Sequence, residues 1–260
     1  MPTLPDERQT AILDRLLRDG RVLAADLASE FDTSEDTIRR DLRDLAAAGQ
    51  CRRVYGGALP LAPASQPLAR RIASAPDSKR ALGRAAAMLV KNRDTVMIDS
   101  GSTNLQIAEA LPVDLDITVV TNAPSVAQAL AGRRSCTVVM LGGKIDPILG
   151  AAFGPLTLRD LDGIRPDIAF IGACGLAAAA GLTVFDPEEA EFKRRLVANS
   201  ARNVVALTAD KLGTAASFVV APIAALHDLI VEADASPAAL ADLARPGLTL
   251  HRAPAPRGSR

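Results

Sequence analysis

Six short apolar runs constrain the fold of this chain more than any other feature: "TVMID" (95–99), "ITVVT" (117–121), "TVVML" (137–141), "DIAFIGA" (167–173), "NVVALT" (203–208) and "DLIVE" (228–232). Each is a near-continuous stretch of Val, Ile and Leu with no in-out alternation, the signature of strands buried on both faces. Helical patterns lie between them, at 103–111, 123–131 and 188–201. Strands alternating with helices predict a mainly parallel sheet covered on both sides. Ligands of such sheets gather outside the carboxyl ends of the strands, so the residues just after each run carry the chemistry.

Small, hydroxyl-bearing and glycine residues recur at that edge. Asp99-Ser100-Gly101-Ser102-Thr103 comes after the first run and opens a helix, Thr121-Asn122 closes the second, and Gly142-Gly143-Lys144 comes after the third. Gly172 and Gly175 end the fourth, and Asp210-Lys211 comes after the fifth. "DSGST" heading a helix can be a phosphate cup, where free N–H groups, hydroxyls and the positive end of the helix dipole converge. It can equally be a plain helix cap, and it is neither a Walker loop nor a dinucleotide fingerprint. Five lysines stand against twenty-five arginines. In such a chain a lysine can mark a place that wants a compact point charge, and Lys144 and Lys211 both fall at this edge.

The first sixty residues have another texture. Ile12, Leu13, Leu16 and Leu17 form one apolar helical face before Gly20, and Val22 starts a short extended piece. Ala24, Leu27, Ala28 and Phe31 give a second short helix. "DTS" turns the chain, Ser34 is placed to cap a third helix with Glu35 and Asp36 in its first turn, and Gly49 ends it. "CRRVYGGA" then reads as a basic strand entering a Gly-Gly turn. Helix, helix, turn, helix and a basic hairpin is the plan of a winged helix-turn-helix.

The third helix mixes acids and arginines. With Ile38 at zero and about 100° per residue, Leu42 and Leu45 lie within about 40° of it, whereas Arg40 is at about 200° and Arg43 at about 140°. Thr37 also points away from the core, Arg39 lies on the flank within reach of a phosphate, and Asp41 sits at the core edge, placed for an internal bond. One reading pairs Asp36 with Arg40 and Arg40 with Asp44 as solvated i,i+4 ion pairs. The other has the helix enter a DNA groove. Residues 39–53 hold Arg39, Arg40, Arg43, Arg52 and Arg53 against Asp41 and Asp44, a focused positive surplus suited to phosphate anchoring. Base discrimination would then fall to Thr37, Arg40 and Arg43.

Composition removes other classes. Net charge is zero, so the chain as a whole is no trap for polyanions. Two histidines and three scattered cysteines argue against zinc sites, disulfide frameworks and Ser-His-Asp catalysis, and no metal or cofactor is expected. No uncharged apolar run reaches membrane length and the start is charged within its first turns, so neither membrane segment nor signal peptide is expected. The expected localisation is cytoplasmic, nucleoid-associated when the chain is DNA-bound.

"RQTAILDRLLRDGRVLAADLASEFDTSEDTIRRDLRDLAAAGQCRRVYGGA" resembles the N-terminal signature of the DeoR family of bacterial transcription regulators. Asp32 and Thr33 stand where that family usually has Gly-Val, and Tyr55 where it has His. On the resemblance, DNA contacts fall to Ser34, Thr37, Arg39, Arg40, Arg43, Arg52, Arg53, Tyr55, Gly56 and Gly57. The remainder is similar to the family's sensor domain, related in fold to sugar-phosphate isomerases, through Lys79, "DSGST", "VVTN", "LGG", "DIAFIGACG", "GLT", "EAEFK" and "DKLG". The resemblance implies a phosphorylated-sugar effector, with Asp99 positioning hydroxyls and Ser100, Gly101, Ser102 and Thr103 holding phosphate. Lys79, Thr121, Asn122, Gly142, Gly143, Lys144, Gly172, Gly175, Glu189, Lys193 and Lys211 complete the expected pocket. Glu189 and Lys193, one turn apart, can instead pair with each other. Thr208 replaces an Asp that the family often carries three residues before the lysine.

The expected organisation is an N-terminal winged helix-turn-helix domain (1–58), a linker (59–78), a mainly parallel α/β sensor domain of the sugar-phosphate isomerase-like fold (79–252) and a tail (253–260). The expected function is an operator-binding repressor of sugar catabolism genes, a homo-oligomer (dimer or tetramer) whose half-sites are spaced by about 34 Å or a multiple. The alternative is a sugar-phosphate isomerase-like enzyme carrying a DNA-binding domain, with Asp99 or Glu189 as base.

Overall fold

The structure is a computed structural model that describes residues 5–19, 21–48, 50–60 and 68–255. Gly20 and Gly49, expected to end two helices, lie outside the described residues, as do most of the tail and residues 61–67. The N-terminal elements are α1 (Pro5–Asp19), β1 (Val22–Leu23), α2 (Ala24–Glu30), α3 (Glu35–Ala47), β2 (Cys51–Val54) and β3 (Gly57–Pro60). Ile12, Leu16, Leu27, Ile38, Leu42 and Leu45 close into one small core, as their helical spacing requires. Antiparallel β2–β3 is the wing, and β1 adds to its other side. Gly57 is obligatory there, because a Cβ would lie 1.9 Å from the Val22 carbonyl oxygen.

Two helices lead into the second unit, α4 (Leu68–Ala73) and α5 (Pro76–Ala87). Thus the segment 59–78 contains the end of the wing, all of α4 and the first turn of α5. Next come β4 (Thr95–Ile98), α6 (Ser102–Ala110), β5 (Ile117–Thr121), α7 (Pro124–Leu130) and β6 (Cys136–Met140). A hairpin of β7 (Lys144–Asp146) and β8 (Ala151–Phe153) precedes α8 (Pro155–Asp162) and β9 (Ile168–Phe170). A second hairpin, β10 (Gly175–Ala177) and β11 (Gly181–Val184), leads to α9 (Pro187–Asn199) and β12 (Asn203–Leu207). The chain ends with β13 (Phe218–Ala221), β14 (Asp228–Val231), α10 (Pro237–Ala241) and β15 (Thr249–Arg252).

Seven strands form one parallel sheet in the order β15-β14-β12-β9-β4-β5-β6. All six runs read from the sequence are in it, and β15 is an addition; β6 departs from the expected burial on both faces, because as an edge strand it is largely exposed. Successive residues of β4 enter opposite cores: Met97 packs with α8, α9 and the hairpins, and Val96 and Ile98 with α5, α6 and α7. The sheet is therefore covered on both faces. No helix of the described residues is long and apolar enough to cross a membrane. Strand order reverses beside β4: from it the chain runs to β5 and β6 on one side, then returns to β9 on the other. The β4/β9 boundary is the switch point where such sheets open a crevice.

Candidate functional sites

The third helix presents its arginines in two ways. Ser34 Oγ accepts a 3.2 Å bond from Thr37 N and lies 2.9 Å from Thr37 Oγ1, so both residues secure the helix start. Asp41 turns inward and accepts 2.6 and 3.2 Å bonds from Arg8 Nε and Nη2, the internal bond its angular position demanded. The ion pairs of the exposed face differ from those the sequence offered. Arg39 Nη2 pairs with Glu35 at 2.7 Å and Arg39 Nη1 with Asp36 at 3.3 Å, because Glu preceding Arg by four residues is the favoured orientation. Arg40 and Arg43 are exposed and make no ion pair among the described residues. Arg53 is exposed on β2, and the side chain of Arg52 lies outside the described residues. Tyr55 stands fully exposed at the wing tip, where Gly56 takes φ +78°.

At the switch point the loop after β4 (Asp99–Gly101) meets the loop after β9 (Ile171–Cys174). The cleft between them is narrow and open to solvent, about 330 Å³ with its mouth included and only about 20 Å³ in its enclosed part. Asn104 Nδ2 pins the first loop, donating 3.0 and 3.1 Å bonds to the carbonyls of Asp99 and Phe170. This places the N-terminus of α6 and the side chains of Ser100, Ser102 and Thr103 at the cleft. The first N–H groups of a helix have no partner within it, so this end suits an anion.

Lys193, wholly buried on α9, builds the floor. Its ammonium donates to Asp99 Oδ2, to Gly172 O at 2.8 Å and to Glu189 Oε1 at 3.0 Å. Three donors meet three acceptors. Burial works against this charge, but the two carboxylates outweigh it and hold the Lys193 pKa above its ordinary value. Burial pushes the Glu189 carboxyl up. Gly172 N donates to Asp99 Oδ2 at 2.9 Å, and a Cβ at Gly172 would lie 2.5 Å from Ser100 O and 3.0 Å from Lys193 Nζ. Three buried oxygens here, Asp99 Oδ1, Thr103 Oγ1 and Glu189 Oε2, have no hydrogen-bond partner among the described residues. Such groups are costly unless something satisfies them.

With Lys193 committed to the floor, positive charge at the rim comes from Lys211 and Arg71. Lys211 Nζ donates one 2.9 Å bond to Ala173 O, and burial pulls its pKa down. Cys174 beside it is buried, which pushes its thiol up to about 11.

A family model described as the DeoR-like helix-turn-helix domain matches residues 8–62, and one described as the DeoR C-terminal sensor domain matches residues 74–233. The chain belongs to the DeoR family. Among curated relatives it is 30% identical over 208 residues to the Glycerol-3-phosphate regulon repressor of Escherichia coli K12, covering 80% of this chain and 82% of the relative. It is also 30% identical over 230 residues to the HTH-type transcriptional repressor GlcR of Bacillus subtilis 168, covering 87% and 88%. A ribose 5-phosphate isomerase A from Methanocaldococcus jannaschii shares 18% identity at TM-score 0.40, over 53% of this chain and 55% of that one. A tetrameric eIF2B-beta2-delta2 complex from C. thermophilum shares 11% at TM-score 0.41, over 80% and 73%. Likeness at that level carries no argument. The DeoR-family sequence relatives are regulators, and this chain is a DNA-binding transcription regulator, not an enzyme.

The DeoR assignment gives the sequence departures physical content. Asp32, where the family usually has Gly, takes φ +49°, a left-handed conformation that Asp tolerates better than most residues. Thr208 is buried at the end of β12, and Asp210 is exposed beside Lys211.

Of the residues expected in a DeoR effector pocket, Ser100, Gly101, Ser102, Thr103, Gly172, Glu189, Lys193 and Lys211 line the cleft, with Asp99 behind its floor. The others stand elsewhere. Thr121 Oγ1 donates to Ile98 O at 2.6 Å, and Asn122 Nδ2 to Ala152 O at 3.2 Å. Gly142, Gly143 and Lys144 are exposed beside β6, beyond β5 from the cleft. Gly175 packs its backbone against Thr214. Lys79 Nζ donates to the carbonyls of Arg71 and Ser74. Sequence reasoning missed Arg71, Asn104 and Cys174. Asn104 was detectable as the polar residue just after "DSGST", whereas Arg71 lay inside a stretch whose Pro and Ala content reads as linker.

Proposed function

We propose that this regulator is a repressor whose operator affinity is set by a phosphorylated sugar bound in the β4/β9 cleft. The observation that carries this reading is the division of labour there. The α6 N-terminus and Lys211 supply donors and charge for a phosphate, while the oxygens of Thr103 and Glu189 that lack a partner among the described residues suit the hydroxyls of a polyol. The names of the curated relatives, repressors that include one of a glycerol-3-phosphate regulon, agree with that chemistry. The protein works in the cytoplasm, on the nucleoid when its operator is occupied.

Triose, pentose and hexose phosphates, each beside its unphosphorylated sugar, test the reading by thermal shift. One phosphorylated ligand is expected to stabilise the protein by about 2.7 kcal/mol at a hundred times its Kd, and to change retention of upstream intergenic DNA in a gel shift. Equal stabilisation by the unphosphorylated sugar would sink it. For the DNA end, Arg40→Ala is expected to weaken specific operator binding by about 1–3 kcal/mol with little change in non-specific binding. An unchanged operator affinity would return α3 to a merely solvated helix.

The protein acts as a homo-oligomer, a dimer or tetramer, and β6 is the face that carries it. This edge strand has no charged residue, and Val139 and Met140 are exposed on it. Ile145, Ile148 and Leu156 extend the apolar surface beyond it. The opposite edge, β15, carries His251 and Arg252. Charges on an edge strand guard against pairing, and β6 lacks them. Val139→Lys with Met140→Lys is expected to sediment as a smaller species than the unmodified protein; an unchanged mass would reject this face.

A further inference from the structure

We propose that Arg71 is an effector contact, so that the connecting helix α4 is itself a wall of the effector pocket and docks most firmly when ligand is bound. The inference rests on the reading of the cleft as an effector site, and adds a residue that lies outside both family matches, 8–62 and 74–233.

Arg71 lines the cleft together with Lys211, Lys193 and the loop after β4. Its helix is lightly held. None of the residues of α4 is fully buried. At one end Leu68 N donates to Ile148 O at 2.9 Å, and the Leu68 side chain rests where a Cβ at Gly150 would come within 2.6 Å of it. At the other end Lys79 Nζ reaches the carbonyls of Arg71 and Ser74, a cation placed at the negative end of the helix. Lys79 is therefore a positioning residue for α4. An element with few buried contacts is among the first to open, and among the easiest for a ligand to stabilise.

Electrostatics gives the ligand its leverage. Lys193 has drawn both Asp99 and Glu189 to itself. Arg71 shares the rim with Lys211, Lys79 stands behind, and Glu189 and Asp210 lie near enough to act on these cations. Burial first, then neighbouring cations that include Arg71, pull the ammonium groups of Lys79 and Lys211 below their ordinary pKa. Docking α4 sets Arg71 near Lys211 as well as near Glu189, and a phosphate between the two cations offsets their mutual repulsion. A guanidinium matches phosphate oxygens in pairs, which a lysine cannot do.

The consequence reaches the DNA-binding unit through a short tether. Only residues 61–67 separate β3 of the wing from α4, a span of at most roughly 30 Å when fully extended. A ligand that fixes α4 shortens the range of positions open to the wing, and so biases half-site spacing.

The test compares full-length wild type, Arg71→Ala and Arg71→Lys, using inorganic phosphate and the sugar phosphates above, by calorimetry and by tryptic cleavage after Arg70. Arg71→Ala is expected to bind the wild type's best sugar phosphate about ten- to a hundredfold more weakly, with Arg71→Lys intermediate. That ligand should slow cleavage after Arg70 in the wild type and not in Arg71→Ala. Equal affinity in wild type and Arg71→Ala would overturn the contact and leave the effector reading intact. Weakened binding with no protection at Arg70 in the wild type would overturn the docking of α4. If neither inorganic phosphate nor any sugar phosphate binds the wild type, the effector reading itself fails and takes this inference with it. A melting temperature of the ligand-free variants close to wild type separates lost binding from lost folding.

Discussion

Lys193→Met is expected to destabilise the sensor unit by about 3–5 kcal/mol at neutral pH, because it strands two buried carboxylates. Methionine fills much the same volume, so packing is a minor part of the loss. Asp99 and Glu189 would keep each other's negative charge within the same enclosed space, with Gly172 O deprived of its donor. The pH dependence carries the signature. In the wild type the Lys193 pKa is raised, so its contribution is fully present below the unfolded lysine value and is lost only as pH climbs through the higher folded one. At neutral pH the wild type holds all of it. In Lys193→Met the buried Glu189 carboxyl, already pushed up by burial, takes a proton as pH falls and so relieves part of the penalty, and the gap between variant and wild type should narrow. Urea titrations at successively lower pH measure it. A gap independent of pH would mean that cavity formation, not stranded charge, causes the loss. Adding Asp99→Asn and Glu189→Gln should recover much of the stability without restoring effector binding.

Asp41→Ala is expected to cost the DNA-binding unit a similar amount, about 3–5 kcal/mol. Asp41 lies on α3 but faces α1, where Arg8 grips both its oxygens and Gln9 Nε2 approaches at 3.4 Å. Both side chains of the pair are nearly enclosed, at 11% and 5% exposure, so solvent offers Arg8 little compensation. In so small a core a loss of this size is most of the stability available. Operator binding should fall with it, although Asp41 touches no DNA. Arg8→Met with Asp41→Leu distinguishes charge from packing: it should refold the unit and restore operator binding if the pair serves only to seat α3 on α1. The readout is the melting transition of this unit beside a gel shift. A single Asp41→Ala variant that melts like wild type would show that the pair is worth no more than a surface bridge.

The parts of the fold that could be read in advance are those where one physical demand dominates. A strand buried on both faces must be apolar throughout, so β4, β5, β9, β12 and β14 announced themselves. The strands β10 and β11, with Gly175 and Gly181, and β15, with His251 and Arg252, answer to local turns and a solvated edge, and their composition does not differ from loop. Within the cleft, Ser100 to Thr103, Lys193 and Lys211 came from the rule that ligands sit at carboxyl ends of strands and from the family resemblance. Thr121, Asn122 and Lys144 obey the same rule but stand on the other side of β4 from the switch, and strand order is not written in any one strand. The arginines of α3 show the same limit. Their angles separated inward Asp41 from outward Arg40, yet the choice of Arg39 as the ion-paired partner depends on which acid precedes it by one turn.

Gly172 sets the terms on which such a regulator could change its ligand in evolution. Any side chain there would press on Ser100 O, Lys193 Nζ and Asp99 Oδ2 together, so the position is closed to drift while the floor beneath it is kept. Ala173, Cys174 and Ala206 also line the cleft, so larger groups there would reduce its free space. New specificities would therefore arise by narrowing the chamber from those three positions, one substitution at a time, without dismantling the charged foundation on which the domain folds.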